Sequence, residues 1–81
     1  MTLDQFNLLN EDEKSDALWI KASLIDVIRK DRLTILLYQL YSFYVEEYYN
    51  YDRNQIERFR SFSSTDYLEP YLNKISLEGI V

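Results

Sequence analysis

The run from Leu33 to Tyr51, LTILLYQLYSFYVEEYYNY, is so rich in aliphatic, aromatic and β-branched residues that both faces of any sheet built from it are partly apolar. An antiparallel sheet with one solvated face normally alternates cleanly into polar residues on that face, and this run does not. One face packs a core; the other needs cover. With 81 residues, the chain has room for one domain, residues 1–81, and one modest core near the lower size limit at which burial alone sustains folding. It contains no cysteine, so packing, hydrogen bonds or association must supply what disulfides would.

The expected architecture is α+β: N-terminal helices, a four-stranded antiparallel β-meander and a short C-terminal helix. Thr2 with Gln5, and Asn10 with Glu13, have the spacing at which a cap residue and a side chain three positions on satisfy each other's free amides. They predict helices over residues 3–8 and 11–21, with Leu9, Ala17, Ile20 and Leu24 near one apolar stripe. Glu11, Asp12 and Glu13 then lie in a helical first turn, where they favour the positive end of the dipole. From Ser23 onward, turn-like groups divide the chain into strands over residues 23–29, 33–40, 43–49 and 55–62. Connections this short require antiparallel neighbours. Tyr41-Ser42 lacks the Asn-Gly or Asp-Gly signature of a tight hairpin and is the least secure turn. Asp66 and Glu69 repeat the capping-box spacing, and Pro70 suits a first helical turn, so a closing helix is expected with Tyr67, Leu68, Tyr71, Leu72 and Ile75 on its apolar side.

A two-residue turn at Tyr41-Ser42 places Leu40 opposite Phe43, Tyr38 opposite Val45 and Leu36 opposite Glu47 on one face, assigned to the core beneath the helices. The other face pairs Gln39 with Tyr44, Leu37 with Glu46 and Ile35 with Tyr48. Its apolar stripe, centred on Ile35, Leu37, Tyr44 and Tyr48, is the candidate partner-binding surface; the alternative is that terminal segments cover it. Glu47 is awkward on an apolar face. A four-residue loop between the third and fourth strands sets Glu47 against Arg58, Phe43 against Phe62 and Tyr49 against Ile56. A five-residue loop sets Val45 against Phe59, Glu46 against Arg58 and Glu47 against Glu57. The first is preferred because it neutralises Glu47, although a bulge would reconcile the two.

The charged residues and the missing residue types limit the chemistry. Nine Lys and Arg against fourteen Asp and Glu give a net charge of −5, which disfavours nucleic-acid backbones. There is no histidine, which removes the commonest general base and transition-metal ligand, and no cysteine, which removes the commonest soft ligand and the strongest nucleophile. The single glycine, Gly79, excludes phosphate-cradling loops. Glu46 and Glu47 are neighbours on a strand and point to opposite faces, which disfavours an all-oxygen metal site. A two-carboxylate hydrolase drawn from Glu46, Glu47, Glu57 and Asp26 is disfavoured because 81 residues offer little depth for a substrate pocket. The chain is read as no enzyme, with no cofactor and no metal. Ser61, Ser63, Ser64 and Thr65 read as a loop and cap, and Arg29, Lys30 and Arg32 as a charged turn. The N-terminal residues show no signal-peptide pattern, and no segment approaches the roughly 20 apolar residues that span a bilayer, so a cytoplasmic setting without membrane contact is expected.

The segments LYQLYSFYVEEYYN and FRSFSSTDYLEPYL resemble a group of small uncharacterised bacterial α+β proteins with an N-terminal helix, a strand meander and a short C-terminal helix. The resemblance spans nearly the whole chain, implies a bacterial cytosolic setting and carries no functional residue. The expected function is a non-enzymatic protein–protein interaction module, and a dimer formed across the second sheet face is its simplest form. Two alternatives stand beside it: an acidic inhibitor or antitoxin-like protein against a basic partner, and a small carbohydrate or aromatic-ligand binder.

Overall fold

Both N-terminal capping boxes close in the computed structural model, which describes residues 1–72. Thr2 Oγ1 accepts from the Gln5 amide at 3.2 Å and Gln5 Oε1 accepts from the Thr2 amide at 2.8 Å, which starts α1 (Leu3–Asn7). Asn10 and Glu13 make the same reciprocal pair at 2.8 and 3.0 Å and start α2 (Glu11–Lys21). Glu11, Asp12 and Glu13 occupy the first turn of α2 and Lys21 the last, all in favourable dipole positions. Ala22 is extended and passes the chain into the sheet.

The sheet is the expected meander: β1 (Ser23–Lys30), β2 (Leu33–Leu40), β3 (Phe43–Asn50) and β4 (Gln55–Phe62), in spatial order β1-β2-β3-β4 and antiparallel throughout. Asp31-Arg32 and Tyr41-Ser42 are two-residue turns, the second despite its unfavourable composition. Their first residues take left-handed φ values of 57° and 56°. After β4, Ser64 caps a 3-10 turn over Thr65–Leu68, and helical residues continue to 72. No described helix is long and apolar enough to cross a membrane.

The sheet packs on both sides. Phe6 of α1 and Ala17 and Leu18 of α2 bury Leu40, Phe43 and Val45 on one face, with Tyr38 and Phe59 at the margin. On the other face the C-terminal segment brings Tyr71 and Leu68 over Leu37 and Phe62. α1 is tied to the sheet edge by the Ser61 hydroxyl, which donates to the Asn7 side chain.

Several expectations are corrected. Glu47 does not face Arg58, nor Phe43 Phe62. The four-residue register holds only beside the loop, at Asn50 with Gln55 and Tyr49 with Ile56; a bulge at Glu57 then sets Tyr48 against Arg58, Glu47 against Phe59, Glu46 against Arg60 and Tyr44 against Phe62. The Asn50 amide nitrogen donates to the Glu57 carboxylate at 2.8 Å, holding the extra residue out of the ladder. Without the bulge, Arg58 and Arg60 would point into the helix-covered core. The bulge moves both to the other face, which leaves Glu47 without a cation. Ile20 and Leu24 are exposed rather than part of the buried stripe: α2 rolls Ala17 and Leu18 onto the sheet and Ile20 away from it, and Leu24 belongs to β1 rather than to the helix. The closing turn is capped by Ser64, which accepts from the Asp66 amide at 3.2 Å, so Asp66 is not the cap. Tyr67 and Leu72 are exposed. Ile75 and the tail from Ser76 lie outside the described residues.

Candidate functional site

Strand alternation brings Ile35, Leu37, Tyr44 and Tyr48 onto one face, as their spacing requires. That face is not open. Leu37 is 1% exposed beneath Tyr71, Tyr48 is 8% exposed, and Ile35 and Tyr44 are half-buried. Tyr44 stacks on Phe62 with ring centroids 5.7 Å apart, and Phe62 in turn touches the Tyr67 ring at 5.3 Å. The candidate stripe thus forms the floor of a second, smaller core whose roof is the C-terminal segment.

At the centre of this core is a buried carboxylate. Glu46, 5% exposed, is offset by three donors. The Tyr48 hydroxyl donates to Oε1 at 3.0 Å, the Tyr71 hydroxyl to Oε2 at 2.6 Å, and Arg60 Nη1 lies 3.6 Å from Oε1. Burial and the bond to Glu46 push the Tyr71 phenol far above its ordinary range, and the same two causes raise Tyr48. Both hydroxyls are therefore fixed donors. Arg60 also lies over the Tyr67 ring at 4.4 Å, and Arg58 over Tyr48 at 4.1 Å. Such an arrangement holds side chains in place; with its charge compensated, Glu46 is a structural anchor rather than a free base.

The other acidic candidates do not converge on it. Glu47 is on the helix-side face, where burial raises its pKa, and Glu57 is held at the edge by Asn50. Asp26 shares the face of Glu46 but lies one strand beyond Leu37, and its charge reaches Tyr71. No group of acidic residues able to hold a metal ion is present among the described residues. In the basic turn, Arg32 pairs with exposed Asp52 at 3.3 Å.

A surface the residue pattern did not single out lies on α2. Trp19 is 88% exposed and Ile20 73%, while Leu18 beside them is 2% exposed. Asp12, Glu13 and Asp16 share this outward side at helical spacing and are also exposed. The signal was there in the four consecutive apolar residues Ala17-Leu18-Trp19-Ile20: they span the full circumference of a helix, so one that packs on a single side must expose some of them. Comparison with known proteins returned no matching family model, no curated relative and no similar solved structure.

Proposed function

We propose that the chain is a small non-enzymatic interaction module, acting in a bacterial cytoplasm, that docks another protein through the outward side of α2. The observation that carries this reading is the exposure of Trp19 and Ile20 on a helix whose opposite side is anchored in the core. Tryptophan is the side chain most enriched where interfaces concentrate their energy, and leaving it in water has a cost that a partner removes. The partner's chemistry follows from what flanks these residues. Asp12, Glu13 and Asp16 enter no ion pair among the described residues, and the whole chain carries −5. A partner with an apolar socket rimmed by Lys or Arg complements that side; a second copy would bring acid against acid.

Tagged wild-type chain and the double variant Trp19→Ala/Ile20→Ser should both fold, since neither residue is buried. Only the wild type should retain a basic partner from native lysate, and the complex should weaken steeply as salt rises from about 0.05 to 0.5 M. Retention by the double variant, or indifference to salt, overturns the assignment. Sedimentation of the purified chain should show a monomer. A dimer that the same variant disperses would mean that the partner is a second copy.

A further inference from the structure

Beside the second core, on the side of the molecule away from α2, the ends of β1 and β2 and the C-terminal segment enclose an open groove of about 930 Å³. We infer that this groove is a binding site for a neutral saccharide. The inference is independent of the α2 surface and starts from charge. The groove is lined by three cations, Arg29, Lys30 and Arg60, and three carboxylates, Glu46, Asp66 and Glu69. An excess of cations would suit a phosphate or carboxylate ligand, and an excess of acids a metal or an amine. Glu46 and Arg60 already pair with each other, and the remaining Arg29, Lys30, Asp66 and Glu69 offer donors and acceptors with no net formal charge, which suits a ligand dense in hydroxyl groups and without charge.

Shape and apolar surface narrow the class. Ile28, Ile35 and Pro70 contribute apolar wall, and the Tyr67 ring adds an aromatic plate. A pyranose chair, whose axial C–H groups form an apolar side, can place that side on the plate while its hydroxyl rim bonds to the charged groups. The volume is in the range of pockets that enclose small organic ligands. The wall is also held in place before any ligand arrives. Arg60 is stacked 4.4 Å from the Tyr67 ring centroid and 5.6 Å from that of Phe62, and its Nη1 lies 3.6 Å from Glu46. The Tyr71 hydroxyl, bonded to Glu46 at 2.6 Å, fixes the segment that carries the plate. A preorganised site loses less freedom on binding.

The test is nuclear magnetic resonance of the full chain, titrated with maltose and cellobiose as neutral probes and with glucuronate and glucosamine as charged controls. Saturable shifts of the amides of Ile28, Ile35 and Tyr67 are expected with at least one neutral sugar, and weaker shifts with the charged analogues. Tyr67→Ala should weaken binding by about tenfold, Tyr67→Phe should leave it nearly intact, and Trp19→Ala should not change it. Tyr67 is exposed, so its variants should fold, and the unchanged spectrum outside the groove verifies this. No saturable shift with either neutral sugar, shifts away from the groove, or an equal response to the charged controls would each overturn the proposal. None of these results touches the α2 reading, which a sugar does not probe.

Discussion

Glu46 and Glu47 are adjacent residues of β3 that meet opposite fates. Glu46 is the more deeply buried, yet two hydroxyls and a guanidinium compensate its charge. Glu47 is only half-buried, between Leu36 and Phe59, and no ion pair reaches it among the described residues. Partnering, more than depth, determines what a carboxylate costs a fold. Burial raises the pKa of Glu47 above its unfolded value, so the folded chain holds a proton that the unfolded chain has already released. This contribution therefore falls as pH rises from the ordinary carboxylate range through the raised folded pKa, and is flat above it. Glu47→Gln should remove that slope and raise the urea midpoint at neutral pH. Midpoints measured for both chains between about pH 4 and 7 provide the comparison. Curves that run parallel across this window would show that Glu47 is not the source. Tyr38, on the neighbouring strand, has its own phenol raised by burial and by the charge of Glu47, so the variant should also lower the Tyr38 titration.

Among the elements, the described part of the C-terminal segment covers the second face through Leu68 and Tyr71. Tyr71 contributes in two separable ways, a ring that closes the core over Leu37 and a hydroxyl that satisfies Glu46. Tyr71→Phe should cost about 1–3 kcal/mol, because a buried carboxylate oxygen loses its donor. Tyr71→Ala should cost about 3–5 kcal/mol and expose Leu37 to an apolar dye. Equal losses for the two variants, measured by urea unfolding, would mean that the ring covers nothing. How far such features can be read from the residues depends on their range. The capping boxes at Thr2 and Asn10 and the two-residue turn at Tyr41 are set within a few positions, and they emerge as expected, although Tyr41 takes a left-handed conformation that suits glycine or asparagine better. That a bulge would settle the β3–β4 pairing was legible, but its place at Glu57 was not, because the register beyond it matches neither unbroken loop length and depends on the bond from Asn50 that holds Glu57 out of the ladder. Nor was the roll of α2, which depends on the sheet beneath it. The cover over Leu37 comes from a segment some thirty residues away, so the stripe looked open when read strand by strand. Ile25 bulges from β1 as Glu57 does from β4, so both outer strands of the sheet are interrupted and an invading strand finds no regular ladder to extend.

The described residues form three layers, with helices on one side of the sheet and the C-terminal segment on the other, and the two outer layers present different surfaces. The helical layer presents acid and indole; the opposite side presents a groove of balanced charge. The two proposed contacts therefore do not compete for area. The same division also separates the chain's optical reporters. Trp19 is the single tryptophan, and at 88% exposure it is bathed in water while the chain is native. Its emission, excited selectively, should therefore barely change through a denaturant titration that abolishes the far-ultraviolet circular dichroism. A large red shift on unfolding would show that the indole is sheltered in the folded chain. The indole is thus nearly blind to the protein's own melting, and a blue shift in its light would announce an arrival at the surface.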